Sequence, residues 1–458
     1  MKLVGRVAEW VGRGIIPSQV ARVIVETDRV KDIAVEISQR LREVISPLPL
    51  LRSVVPRFLG PEGLSIGLGA RNVFMKIGDV LANFLAVKTI PLFNFVAFPA
   101  TVKIIEELEG DSRIRKIYPD RIMRTLQYYP TVPEDGVFKE RLRGREFTST
   151  EYTRKIIGAE EANREGYLGR GIRVGVIDTC GAPEHSSIAR AIPRTTIRGI
   201  WTDGNGHGHH VAATIGGRYY IDPSYNIPTQ GMAPECQLFT IKSLGYIIGF
   251  GHESDILEAI QLAGQLDLHI VNMSLGSEET PENPEDDPQC KAIKKIVEEK
   301  KTIFVVAAGN SGPSERTITS PGISEDVITV GAYNPITGEI APFSSRGPTP
   351  DGRIKPDITM PGVGIYAPIV GILDGLEPPK GALRVSALDG TSMATPHASG
   401  LIALMYEHAA KYGIQLTHEI IKDVMKHYGE EREKSIEAGW GVLTWDKWKR
   451  YAKEVLGI

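Results

Sequence analysis

Four separated stretches of this 458-residue chain carry side chains whose types could together perform acyl transfer. At neutral pH that chemistry needs a hydroxyl activated by a base, a base held in the correct tautomer, and donors for the oxyanion that develops at the attacked carbonyl. In chain order the stretches read Val176-Ile177-Asp178-Thr179, Gly206-His207-Gly208-His209-His210-Val211-Ala212, Ala308-Gly309-Asn310-Ser311-Gly312 and Gly390-Thr391-Ser392-Met393-Ala394-Thr395-Pro396-His397. They supply a carboxylate, an imidazole, an amide and a hydroxyl. An Asp after a strand or a Gly-x-Ser is common when it stands alone. It is the joint set, in one order, that carries information.

The order Asp, His, Ser is that of the subtilisin triad, and the four stretches resemble those of the subtilisin-like serine proteases, the subtilases. The resemblance runs from about Thr153 to the C-terminus and includes Gly231-Met232-Ala233-Pro234, Val271-Asn272-Met273-Ser274-Leu275-Gly276, Phe343-Ser344-Ser345-Arg346-Gly347-Pro348 and Lys355-Pro356-Asp357. It implies a serine endopeptidase acting on polypeptides. Ser392 would attack the scissile carbonyl, and His207 would take its proton and later return one to the leaving amine. Asp178 would accept the other imidazole N–H, while the Asn310 amide and the Ser392 backbone N–H would face the oxyanion. Ser274-Leu275-Gly276 and Gly249-Phe250-Gly251 resemble the family's two peptide-clamping segments, so substrate is expected to add as a strand. Ala308 and Gly309 would wall the pocket for the side chain before the scissile bond, leaving room for a large apolar group. The chemistry needs no cofactor. Structural calcium is common in the family, but His185-Ser186-Ser187 lacks the carboxylate often found there, which leaves Asp222 and Asn226 as substitutes.

Other readings compete for the same residues. Gly390-Thr391-Ser392-Met393-Ala394 has the look of a nucleophile elbow, yet elbow hydrolases place Ser before Asp and His. His207, His209 and His210 spread around a helix start rather than sharing a face, which disfavours a common metal and makes His210 a packed structural residue. His209 and Cys180 stand where the family usually has Thr and Gly; Cys180 is either close to the imidazole or simply a small buried hydrophobe. Glu278, Glu279, Glu282, Glu285, Asp286 and Asp287 crowd a Pro-rich loop, read as solvated, or as a lip for basic substrates or a weak calcium site. Two further classes are a peptide-binding protein without activity, disfavoured by the four occupied positions, and a metal-dependent hydrolase using the histidines.

The elements that must position these groups read as an α/β domain. Apolar strands at 172–177, 238–241, 270–273, 303–306 and 327–330 alternate with helical stretches, a pattern of a mostly parallel sheet between two helix layers. In such sheets ligands collect at the carboxyl ends of strands, where Asp178, Ser274 and Asn310 fall. The apolar segment after Ser392 reads as a helix with Pro396 in its first turn, its N-terminal N–H groups favouring negative charge nearby.

Because single cores stop growing near about 250–300 residues, a second unit is expected. Residues 21–127 supply it: a strand at 22–25, a helix from Lys31 with Ile33, Ile37 and Leu41 on one face, a strand at 92–98, a helix at 101–108 and a strand at 114–118. From Phe95 through Ile122 this small α+β unit resembles the family's inhibitory propeptide. The resemblance implies a zymogen whose own propeptide is an intramolecular inhibitor, cut between Arg124 and Glu151. Residues 1–20 form an extension, 46–88 an unassigned insertion, 128–152 a linker with the processing region, and 153–458 the catalytic domain.

A net charge of −3, with 42% hydrophobic and 24% charged residues, gives no basic excess for nucleic acid. No stretch approaches the roughly 20 apolar residues of a membrane span, and no signal-peptide pattern opens the chain. Three cysteines, Cys180, Cys236 and Cys290, argue against a disulfide framework and lean toward a cytoplasmic setting.

Overall fold

The computed structural model describes residues 21–45, 87–126, 147–197, 201–223, 226–245, 249–277, 279–370, 384–430 and 433–458. The expected extension 1–20, residues 46–86 of the insertion, residues 127–146 around the linker, and Glu278 lie outside the described residues. By internal contact the chain divides into two units. Met1–Arg121, Ile197–Ile200 and His252–Gln261 make the first; Ile122–Thr196, Trp201–Gly251 and Leu262–Ile458 make the second.

In the first unit β1 (Ala21–Glu26) leads to α1 (Val30–Ile45), β2 (Lys88–Ile90), β3 (Phe95–Ala100), α2 (Val102–Gly110) and β4 (Lys116–Pro119). The strands pair antiparallel in the order β2-β3-β1-β4. Alternation puts Val23, Val25, Val96, Phe98 and Ile117 into one core, with Ile33, Ile37 and Leu41 of α1 and Ile104, Ile105 and Leu108 of α2. The third strand starts later than expected because Pro91 opens a single 3-10 turn, Pro91–Phe93, closed by Asn94 at φ 61°. Residues 252–261 join this unit through Asp120, whose carboxylate accepts the Ser254 N–H, the Ser254 hydroxyl and Arg22 Nε, each at 2.8 Å.

The second unit begins with β5 (Ile122–Thr125) and is organised around a sheet. Along the chain come β6 (Arg173–Asp178), β7 (Ile192–Thr195), α3 (His207–Gly216), β8 (Gln237–Lys242), β9 (Phe250–His252), β10 (Ile270–Met273), β11 (Leu275–Gly276), α4 (Pro288–Lys300), β12 (Ile303–Ala307), β13 (Val327–Tyr333), β14 (Ile358–Pro361) and α5 (Thr391–Ala410). Seven strands run in the order β14-β13-β12-β10-β6-β8-β7, and every neighbouring pair is parallel. Every residue of β10, β12, β13 and β14 is buried, as a parallel sheet covered on both faces requires. The fold is α/β, with strand bounds within three residues of those expected.

Helix α5 departs from expectation in one respect. It begins at Thr391, so Pro396 lies inside it rather than in the first turn. A proline there cannot donate to the carbonyl four residues back, and that carbonyl belongs to Ser392. The freed acceptor is used: the Ser274 hydroxyl donates to it at 3.0 Å. Among the described residues no helix is long and apolar enough to cross a membrane.

Candidate active site

Asp178 is the last residue of β6 and His207 the first of α3. Their side chains meet, with His207 Nδ1 2.8 Å from Asp178 Oδ1 and 3.0 Å from Oδ2. Both are fully buried. A carboxylate can only accept, so Nδ1 carries the proton and Nε2 presents its lone pair. His207 Nε2 is buried without a hydrogen-bond partner.

The close approach depends on Gly208. A β-carbon there would stand 2.4 Å from the Cys180 nitrogen and 2.6 Å from Cys180 Cβ, so only glycine lets the first turn of α3 rest on the chain leaving Asp178. Thr179 Oγ1 accepts the Gly208 N–H at 2.9 Å and fastens the same contact.

Ser392 is the second residue of α5. Its hydroxyl donates to the Ser274 carbonyl at 2.9 Å and accepts the Leu126 N–H at 3.1 Å. It is not hydrogen-bonded to His207. Asn310 follows β12, and its Oδ1 accepts the Thr391 N–H at 3.0 Å and the Thr391 hydroxyl at 2.8 Å. That fixes which end of the amide is which, and Nδ2 donates to the carbonyl of Leu126.

Leu126 thus touches the serine through its N–H and the asparagine through its C=O. It ends an extended segment: β5 lies between β9 and β11, running antiparallel to β11 with Thr125 opposite Leu275 and Arg124 opposite Gly276. The Thr125 N–H donates to the Gly249 carbonyl at 3.1 Å, and the Leu126 N–H also faces the Ser274 carbonyl at 3.4 Å. The expected clamping residues Gly249, Phe250, Gly251, Ser274, Leu275 and Gly276 therefore flank one strand of this same chain. Gly276 lies under the Leu126 side chain, where a β-carbon would stand 3.1 Å from Leu126 Cδ1. The Ala308 carbonyl accepts the Thr319 N–H at 2.9 Å, and the Gly309 carbonyl accepts the Thr391 hydroxyl at 3.2 Å.

A profile of the Subtilase family matches residues 169–441. The chain belongs to that family. It is a subtilisin-like serine endopeptidase, similar to serine protease AprX of Bacillus subtilis, 32% identical over 379 residues that cover 77% of this chain and 79% of AprX. Pyrolysin of Pyrococcus furiosus is 34% identical over 275 residues, 49% of this chain but only 19% of pyrolysin. Subtilisin DY of Bacillus licheniformis is 33% identical over 254 residues, 55% of this chain and 82% of that protein.

The three histidines of this subtilase do not converge. His210 Nε2 is 2.9 Å from the Ile365 carbonyl, and burial pushes its pKa down to about 3. His209 Nδ1 lies 2.9 Å from Asp203 Oδ2, while its Nε2 accepts the Glu184 N–H at 3.0 Å. Cys180, Asp203 and His209 bring their ligand atoms within 4.8 Å of one another, but the imidazole lone pair is already taken by Glu184. Burial raises the Cys180 thiol well above its ordinary pKa, so the thiolate a metal would need is disfavoured. A calcium ion would need six to eight oxygen ligands; of the substitutes expected for it, Asp222 accepts the Tyr366 hydroxyl and Asn226 stands at φ 56°.

Two residues important to this subtilase's site escaped the sequence reading. Asp203 accepts the Gly206 N–H at 2.8 Å, the Asn205 N–H at 3.2 Å and the His209 N–H at 3.1 Å, capping the helix that carries His207 although Gly206 has no side chain to do so. The turn-rich run Asp203-Gly204-Asn205-Gly206 was a usable signal. Asp287, assigned to a solvated acidic loop, is buried and caps α4, accepting the Gln289 and Cys290 N–H groups at 2.8 and 3.0 Å. Asp followed by Pro at a helix start was its sign.

Proposed function

We propose that Ser392, His207, Asp178 and Asn310 are the catalytic residues of this endopeptidase, and that the chain is a zymogen whose first substrate is its own Leu126–Gln127 bond. The observation that supports this most directly is the placement of Leu126. Its carbonyl accepts the Asn310 amide N–H while its own N–H rests on the Ser392 hydroxyl. Any peptide laid along β9 and β11 would present a carbonyl at the same point.

Rotating Ser392 about Cα–Cβ to another staggered position takes its hydroxyl from the Ser274 carbonyl toward the vacant lone pair of His207. The serine oxygen then bonds the Leu126 carbonyl carbon, and its proton passes to His207 Nε2. Negative charge builds on the carbonyl oxygen that Asn310 holds. Collapse breaks the bond to the Gln127 nitrogen, which leaves with the proton from His207; water, deprotonated by the same imidazole, releases Leu126 as a carboxylate. Asp178 keeps the proton on Nδ1 and stabilises the imidazolium formed in between.

After the cut the product tail, residues 122–126, would stay paired with both edges and block the cleft, so the released segment would act as an inhibitor. Polypeptides with a large apolar residue before the scissile bond would take its place. Mass spectrometry of the incubated full-length chain tests the proposal. A new N-terminus at Gln127, absent from Ser392→Ala, is expected; an uncut chain, or an identical cut in Ser392→Ala, would refute it.

A further inference from the structure

A cavity of about 250 Å³ opens within the second unit, away from Asp178 and His207. Its walls come from the segment 187–192, from the last residue of α3 and from the start of β8. Strand β8 runs parallel to β6, with Gln237 opposite Arg173 and Lys242 opposite Asp178, so the Gln237 end lies at the far edge of the sheet from Asp178. Helix α3 sets the same separation. His207 is its first residue and Gly216 its last, a span of roughly 14 Å at 1.5 Å per residue.

The lining divides into an apolar floor and a charged rim. Ile188, Ala191 and Leu238 are buried there. Cys236 extends the floor: burial pushes its thiol up to about 12, so it stays neutral and behaves as a small apolar group. Arg190 and Arg218 stand exposed on the rim. The Arg218 N–H donates to the Ser187 carbonyl at 2.9 Å, which fixes its backbone beside the segment that carries Arg190. The one carboxylate of the lining, Glu235, is taken from outside by Arg170, whose Nε lies 2.6 Å from Oε2. Among the described residues neither Arg190 nor Arg218 has an ion-pair partner. Two guanidinium groups thus border an apolar cavity with no counter-charge of its own.

We propose that this cavity binds a short aliphatic carboxylate, its head held by Arg190 and Arg218 and its chain laid on Ile188, Ala191 and Leu238. A planar guanidinium matches a carboxylate through two parallel N–H···O bonds, and an anion without a tail would leave the floor unused. The volume falls below the roughly 300–1,000 Å³ of pockets for drug-sized molecules, which limits the chain to a few carbons. Orientation follows from α3. Its last carbonyls, at Gly216, carry the negative end of the helix dipole, which keeps the head at the arginines and the tail toward the helix. A free short-chain acid and the end of a peptide that finishes in an aliphatic residue share this chemistry.

Calorimetric titration of the full-length chain carrying Ser392→Ala, which keeps self-cleavage out of the sample, compares hexanoate, N-acetyl-leucine, hexanamide and inorganic phosphate. Hexanoate or N-acetyl-leucine is expected to bind with a Kd near about 1 mM, and the tighter of the two names the source, free acid or peptide end. Hexanamide lacks the charge and phosphate the tail, so each should bind at least about tenfold more weakly. Arg190→Gln and Arg218→Gln should each weaken carboxylate binding about tenfold. Both side chains are exposed, so thermal melts of the variants without ligand should match that of the chain they derive from. Binding of neither carboxylate, equal binding of hexanamide or phosphate, or a Kd unchanged in both arginine variants overturns the proposal.

Discussion

Ser274 and Ser392 hold each other by two hydrogen bonds: the Ser392 hydroxyl donates to the Ser274 carbonyl at 2.9 Å, and the Ser274 hydroxyl donates to the Ser392 carbonyl at 3.0 Å. The second bond exists because Pro396 leaves the Ser392 carbonyl without its helical donor. A short relay continues inward, Asn272 Nδ2 donating to Ser274 Oγ at 2.9 Å and Ser399 Oγ donating to Asn272 Oδ1 at 2.9 Å. Ser392 is thereby tied to the segment that leads into β11, the strand paired with β5.

Ser274→Ala should therefore loosen the serine as well as the fold. The substitution removes the donor to a buried carbonyl and the acceptor of a buried amide, a loss of about 1–3 kcal/mol. Denaturant unfolding of the variant should show a lower midpoint at unchanged slope, and kcat should fall while KM moves less. Full stability with full activity would show that the two bonds do not matter.

Asn310→Ala probes the proposed oxyanion donor. Removing such a group typically lowers kcat by roughly a hundredfold to a thousandfold, about 3–4 kcal/mol of transition-state stabilisation. Since Asn310 Oδ1 also accepts the Thr391 N–H and hydroxyl, a stability loss of about 1 kcal/mol should accompany it. Steady-state kinetics and a thermal melt separate the two effects. A fall in kcat below about tenfold would remove Asn310 from the role.

How far the site was legible depended on what each residue contributes. Asp178, His207, Asn310 and Ser392, the proposed catalytic residues, carry side chains of distinctive chemistry placed after strands or at helix starts, so their types and order single them out in the sequence. Leu126 acts through its backbone N–H and C=O, which every non-proline residue has, and nothing in its side chain marks it. The parallel sheet was readable from near-continuous apolar runs, whereas the start of α5 was misjudged because Pro396 suggested a first turn and its real role, freeing the Ser392 carbonyl, needs a tertiary partner. Asp203 and Asp287 were passed over for a related reason: an acidic residue in a loop becomes a cap only once the neighbouring N–H groups have been turned toward it.

Asp203 yields a pH prediction with a definite sign. Burial alone would raise the pKa of its carboxyl, but the hydrogen bond from His209, with the charge of Lys242 and the Gly206 N–H, outweighs it and holds the pKa at about 2. The unfolded chain should titrate near the ordinary value of about 3.9. Between those two values the unfolded state binds more protons than the folded one, so stability falls as pH falls. The contribution, on the order of 2 kcal/mol, is fully present above about pH 4 and is lost as pH drops toward 2. Asp203→Asn should abolish that limb and lower stability at neutral pH, because an amide keeps one acceptor oxygen and must turn its NH2 either toward the Asn205 and Gly206 N–H groups or toward the His209 N–H and ring. The same change should slow catalysis, since those N–H groups set the first turn of the helix on which His207 meets Asp178. Unfolding free energies of both proteins measured from pH 6 to pH 2 check this: parallel curves, with no convergence toward the acid end, would mean that Asp203 does not carry the acid dependence.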